Sequence, residues 1–326
     1  MERQNDIRIG RLHHCTFAQA LELRKRGFEQ YREEMSRYYP NIAAPGTELT
    51  MEQLLSGFAR NGVRPELSVV GYVNDRPVGF VFVAVRVVGG KKLAWNGGTG
   101  VFPEYRGLGL AKLMMQEANR ILREQEVDLA VLEVVTGNER AIAAYKSGGF
   151  RIVDRLAAMS RTEPLERPFR QEPTPGQLEL RWTKPAVAGA LPFYREQAAW
   201  GCMWHSQQDG DALIVNERQE GEGGNGGPVA YALCSRARDA DGKLKSVVFK
   251  QCEVDPDRRS DRERLLRLIL AECFGPYDIA CARKAANLSM AHPDVIELLK
   301  EAGFQTLHEQ YLMVLEKAVE SSGNAE

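Results

Sequence analysis

One pattern in this chain occurs twice. Val101 and Pro103 recur as Val254 and Pro256, and Gly149-Phe150 recurs as Gly303-Phe304, at an offset of 153 to 154 residues. In a chain of 326 residues that spacing marks an internal duplication of one domain. Length agrees, since roughly 150 residues per domain favours two domains over one.

In the first copy an extended Ile7-Arg8-Ile9 precedes a helix from Phe17 to Tyr38, with Leu21, Phe28, Tyr31 and Met35 at helical spacing. Pro40, Pro45 and Gly46 end it, and Thr50-Met51-Glu52-Gln53 is a capping box that opens a helix through Phe58. Leu67–Val73, Val78–Val88 and Leu93–Val101 read as strands, divided by the turn cluster Asn74-Asp75-Arg76-Pro77 and by Gly89-Gly90. After Pro103 the pattern turns helical: Leu110, Leu113, Met114, Ala118, Ile121 and Leu122 mark one face of a helix to Gln125. Leu129–Val135 is an apolar strand interrupted by Glu133, Asn138–Lys146 is a short helix stopped by Gly148-Gly149, and Arg151–Ser160 is the last strand. A meander leading into strand-helix-strand is an α+β fold, its mixed and mostly antiparallel sheet flanked by helices.

Residues 161–177 carry four prolines and no periodicity, which reads as a linker between a domain at 5–160 and a second at 178–318. In the second, strands at Ala212–Val215, Val229–Ser235 and Leu244–Val254 are separated by a Gly-rich loop, Gly221 to Gly227, and by Asp239-Ala240-Asp241-Gly242. A helix at Asp261–Cys273, a short strand around Ile279 and a helix at Pro293–Glu301 follow.

Composition removes several classes. With 44% hydrophobic and 27% charged residues the chain is ordinary globular material. Its 43 basic and 44 acidic residues give a formal charge of -1, so nucleic-acid binding has no bulk charge behind it. Arg258, Arg259, Arg262 and Arg264 alternate with acids and read as a solvated, salt-bridged helix start. No apolar run is long enough to span a membrane, and Met1-Glu2-Arg3-Gln4-Asn5-Asp6 lacks the apolar core of a secretory signal. Six scattered cysteines then read as reduced thiols of a cytoplasmic protein, and the five histidines do not sit beside them at metal-ligand spacing, so no metal is expected.

The chemistry concentrates in Val101-Phe102-Pro103-Glu104-Tyr105-Arg106-Gly107-Leu108-Gly109-Leu110-Ala111, a glycine-bearing turn from strand to helix. The first turn of a helix has unpaired N–H groups and a partial positive charge, and glycines let a pyrophosphate approach that backbone. A dinucleotide fingerprint needs glycine where Lys112 stands, and a P-loop needs a Gly-Lys-Ser/Thr that is absent.

Here the sequence resembles the GNAT superfamily of N-acetyltransferases. Its Arg/Gln-x-x-Gly-x-Gly/Ala loop is matched by Arg106, Gly109 and Ala111, and its second signature by Asn138, Ala141, Tyr145 and Gly149-Phe150. The resemblance covers residues 5–160 and, more faintly, 178–318. It implies acetyl-coenzyme A as co-substrate, with the pyrophosphate on the amides of Arg106, Gly107, Leu108, Gly109, Leu110 and Ala111. It also implies a hydrogen bond to the thioester carbonyl from the strand ending at Val101 and Phe102, which stabilises the oxyanion. Gly97-Gly98 fits the bulged backbone that opens a cleft for pantetheine.

Tyr145 matches the family's tyrosine that protonates the departing thiolate, an exchange between a phenol of pKa ~10 and a thiol of ~8.5. Glu133 stands where related peptide N-terminal acetyltransferases supply a base, and the strand Leu93–Val101 offers no other acid. Asn138 contacts pantetheine, caps its helix, or does both. The bland alternatives stay open beside these: Tyr145 as core packing, Glu133 as a salt-bridged sheet acid. Phe28, Tyr31, Glu33, Glu34, Tyr38 and Tyr39, with the loop Pro40–Thr50, correspond to the region that walls the acceptor pocket in this family.

The second copy departs from the pattern. Gly107 becomes Ser260, Gly109 becomes Arg262, Ala111 becomes Arg264, Asn138 becomes His292 and Tyr145 becomes Leu299. It is expected to keep the fold and to have lost the cofactor. The whole is then an acetyltransferase acting on a small primary amine by direct attack in a ternary complex. Two alternatives stand: another acyl transferase of the same fold, and a non-catalytic acyl-coenzyme A sensor or assembly module. Neither nucleic acid nor membrane is an expected partner, and a homodimer stays open.

Overall fold

The computed structural model describes residues 6–28, 39, 49–165, 169, 178–218 and 225–317. Contacts divide the chain into two units, Met1–Val153 with Tyr311–Glu326, and Asp154–Gln310.

The first unit starts with β1 (Ile7–Arg11), α1 (Phe17–Gly27) and α2 (Met51–Asn61). Both helices begin with reciprocal capping boxes. In the second, Thr50 Oγ1 accepts from Gln53 N at 3.2 Å and Gln53 Oε1 accepts from Thr50 N at 3.0 Å. α2 runs past the expected Phe58 to Gly62, whose φ of 70° suits the left-handed stop. Then come β2 (Val69–Val73), β3 (Arg76–Val88), β4 (Lys91–Val101), α3 (Leu110–Glu124), β5 (Leu129–Val135) and α4 (Glu139–Ser147). Both hairpin turns carry consecutive positive φ angles, 48° and 62° at Asn74 and Asp75 and 56° and 80° at Gly89 and Gly90, the mirror-image turn that matches strand twist.

α3 packs Leu110, Met114, Ala118, Ile121 and Leu122 into the core shared by the meander. Leu113, expected on that face, is 40% exposed and Met115 is buried instead. Rotation of ~100° per residue carries position 113 past the edge of the stripe and brings 115 to its other edge.

β6 (Arg151–Arg161) leads into the second unit, followed by β7 (Leu178–Thr183), the five-residue α5 (Pro185–Gly189), β8 (Asp211–Arg218), β9 (Asn225–Arg238) and β10 (Leu244–Val254). α6 (Arg262–Phe274), β11 (Ala282–Ser289), α7 (Pro293–Glu301) and β12 (Gln305–Glu316) complete the chain. β10 and β11 run parallel and the rest of the meander is antiparallel. The strand expected around Ile279 lies further on, in β11. Its pattern was hidden by Arg283, fully buried, with its guanidinium donating to the carbonyls of Phe274, Pro276 and Ile279.

The closing strands differ from the simple duplication. The strand expected at Arg151–Ser160 to finish the first domain runs to Arg161 and instead pairs antiparallel with β11, Arg161 opposite Arg283 and Leu156 opposite Ser289. The strand next to β5 is β12, from the end of the chain. Lys317 N donates to Asp128 O at 3.0 Å there, and Met313 enters the first unit's core. Two equivalent strands offer each unit the same ladder, so the alternation in sequence does not say which unit each one completes. Most of the expected linker, residues 166–168 and 170–177, lies outside the described residues.

Candidate active site

The first unit opens at the junction of β4 and β5. These parallel strands share a register only from Leu93–Leu129 to Trp95–Val131. Beyond it β4 bulges against β3, the register shifting between Val81 and Val83. Asn96 holds the bulge: its Oδ1 accepts from Gly98 N at 3.1 Å and its Nδ2 donates to Thr99 Oγ1 at 3.0 Å. Gly98 has φ of 138°, a conformation closed to other residues without strain. The strands therefore splay, as the glycine pair predicts.

Below the splay the chain turns through Pro103–Tyr105 into α3. Gly107 and Gly109 have φ of 85° and 77°, and a Cβ on either would meet nothing within 4 Å. Gly109 is the N-cap and brings no side chain to the helix end. The first intrahelical bond is Leu113 N to Gly109 O at 3.1 Å, so the amides of Leu110, Ala111 and Lys112 precede the helical ladder. Arg106 Nε donates to Val101 O at 3.2 Å and ties the turn to the strand end.

Splay, turn and helix enclose a cleft of about 730 Å³. Val101, Arg106, Gly107, Gly109, Leu110 and Ala111 line it on one side, Asn138 and Tyr145 on the other. Asn138 Oδ1 also accepts from Ala141 N at 3.1 Å, so it caps α4 while facing the cleft. The charged residues among the described walls are all cations: Arg106, Lys112 and Arg140. Asn119 Oδ1, buried on the same wall, has no hydrogen-bond partner among the described residues. Open space over two glycines, exposed amides, three cations and an unsatisfied acceptor fit a long ligand carrying phosphates at one end and amide N–H groups along it.

Tyr145 is buried, with the Thr99 side chain near its hydroxyl. Burial raises the phenol pKa and the Thr99 contact lowers it partway back, the net direction being upward.

Glu133 is not one of the cleft's walls. Its neighbours Leu132 and Val134 join Tyr145 in the core, so strand alternation turns Glu133 to the opposite face of the sheet. There its Oε2 accepts from Trp95 Nε1 at 2.7 Å. Acid and tyrosine thus address the splay from its two sides. Two other residues expected at the loop also lie off the cleft. Phe102 is buried under the Arg26 guanidinium, 4.2 Å from the ring centroid, and its N–H donates to Val78 O at 2.8 Å. Leu108 is 37% exposed.

Of the acceptor-side residues, Phe28 packs on Phe80 with centroids 5.6 Å apart, and Tyr39 Oη lies 2.6 Å from Thr136 Oγ1. Tyr31, Glu33, Glu34, Tyr38 and residues 40–48 lie outside the described residues. Sequence reasoning missed Thr99, Lys112, Asn119 and Arg140. Lys112 and Arg140 were signalled by their places in the first turns of the two helices that face each other.

The second unit repeats the splay, its parallel pairing limited to Ser246–Ala282 through Phe249–Ala285. What fills it differs. Arg262, at the place of Gly109, donates to Glu253 Oε1 at 2.8 Å and to Asp294 Oδ2 at 2.6 Å, with its Nη2 3.4 Å from His292 Nδ1. One guanidinium therefore bridges β10, α6 and α7. Leu299, at the place of Tyr145, is fully buried in the core.

Residues 28–150 match the family model described as the acetyltransferase (GNAT) family. That stretch of the first unit is similar to GNAT acetyltransferases. The wider chain has GNAT structural relatives. It aligns with a GCN5-related N-acetyltransferase from Sphaerobacter thermophilus at TM-score 0.62 and 16% identity, over 95% of each chain. It aligns with a tandem GNAT protein from the clavulanic acid biosynthesis pathway at TM-score 0.58 and 16% identity, over 95% of this chain and 98% of that one. A third match is a fungal multi-domain β-N-acetylglucosaminidase with a GCN5-related glucosamine N-acetyltransferase region, at TM-score 0.63 and 15% identity. It covers 96% of this chain but only 38% of the fungal one. At such identities these likenesses establish the fold. No curated protein matches the chain.

Proposed function

We propose that the protein transfers acetyl from acetyl-coenzyme A to a small primary amine, using the first unit alone. The observation that carries this is the glycine turn opening onto a cationic cleft that ends at Tyr145. When bound, acetyl-coenzyme A supplies the acetyl thioester. The amides of Leu110, Ala111 and Lys112, with Arg106, Lys112 and Arg140, hold its phosphates. Asn138 and Asn119 face its pantetheine arm. Glu133 receives a proton from the amine as the nitrogen bonds to the acetyl carbon. Tyr145, kept protonated by burial, gives a proton to the sulfur as the C–S bond breaks. No cysteine stands among the described walls of the cleft, which favours direct attack over an acyl-enzyme.

Arg262 argues that the second unit has exchanged cofactor binding for an internal ion-pair bridge. All six cysteines are free thiols, and no described helix is long and apolar enough to cross a membrane; both fit the cytoplasm. The test is thiol release from acetyl-coenzyme A against a panel of small primary amines, polyamines and amino sugars. Acetylation of at least one, with stoichiometric thiol, is the expected result. Cofactor binding without transfer to any of them points instead to an acyl-coenzyme A sensor.

A further inference from the structure

Trp95 is the last residue of β4 that keeps register with β5, lying opposite Val131, and its indole reaches along β5 to Glu133. The contact stands where the strands begin to part. The chain makes space for it two residues later. A Cβ on Gly97 would stand 2.6 Å from the indole Cζ3 and 2.9 Å from Cε3. Gly97 has no left-handed φ, so the backbone does not demand glycine there; the ring does.

The geometry points to Trp95 as the positioning residue of the acceptor-side base, with Gly97 as the space that seats its ring. This rests on Glu133 being that base. A donor on Oε2 fixes the plane of the carboxylate. The base is then ready when the amine arrives, without waiting on a rotamer.

The test uses the full chain, acetyl-coenzyme A and whichever amine of the panel releases most thiol. Trp95→Phe keeps an aromatic ring, though a smaller one, and drops the donor. It should lower kcat about tenfold, part of the ~10²–10⁴ that a positioned base contributes, with KM for acetyl-coenzyme A unchanged. Gly97→Ala should lower kcat similarly by displacing the ring. In a Glu133→Gln background, adding Trp95→Phe should cost nothing further. The Trp95 indole N–H resonance should also move in Glu133→Gln. Independent, multiplicative losses in the double variant, or a loss confined to KM for acetyl-coenzyme A, overturn the positioning role while leaving Glu133 as base. Full turnover in Glu133→Gln overturns the base assignment and this inference with it.

Discussion

Gly109 caps the helix that follows the first meander, and Arg262, its counterpart by sequence offset, is the first residue of the helix that follows the second. Gly109 leaves the space above it open, whereas Arg262 crosses the corresponding space to Glu253 and Asp294. One copy leaves the space over its first helical amides open, and the other satisfies its own acids.

Gly109→Arg should therefore make the first cleft resemble the second. An arginine there strains a φ of 77° and places a long side chain over the amides. Thiol release should fall at least about a hundredfold, the scale of lost multi-contact phosphate binding. Activity within a few-fold of the parent would remove the loop from the mechanism.

Tyr145→Phe keeps the ring in the core and removes the proton donor. Turnover should drop severalfold or more, while acetyl-coenzyme A binding, followed by calorimetry, stays within about twofold. Unchanged turnover would leave Tyr145 a packing residue beside Phe150.

Arg262→Ala strips the bridge and leaves Glu253 and Asp294 facing each other across a partly buried gap. The expected cost is about 1–3 kcal/mol, below that of a fully buried pair because the guanidinium keeps some solvent contact. Denaturant melts report it. Restoring the glycine with Arg262→Gly should not create cofactor binding, because Leu299 and His292 still replace the other ligands.

Acid stability has a named contributor. Hydrogen bonds from Arg120, and then from Arg11, outweigh desolvation and hold the Glu117 carboxyl down at about 2. A folded pKa below the unfolded ~4.3 means stability that is present above pH ~4.3 and lost as pH falls through ~2. Glu117→Gln should cost about 1–2 kcal/mol at pH 7, discounted for partial exposure, and the gap to the parent should close at the acid end. A constant gap from pH 7 to pH 2 would show that the loss is steric.

Local patterns were legible in the sequence because their causes are local. β5 and α7 have the bounds that periodicity and the glycine stops imply, and the Thr50 capping box forms as read. The glycine turn was equally plain. What escaped depends on partners distant in the chain. Alternation along Arg151–Arg161 identifies a strand but not the sheet it completes. Arg283 looks like a surface residue until its three carbonyl acceptors are in place. Thr99 gains meaning only beside Tyr145, and Trp95 only beside Glu133.

Titration calorimetry of acetyl-coenzyme A into the full chain addresses the asymmetry between the copies. One molecule bound per chain, abolished by Gly109→Arg and retained in Arg262→Ala, is the result expected. Two molecules per chain, or one that survives Gly109→Arg, would contradict it.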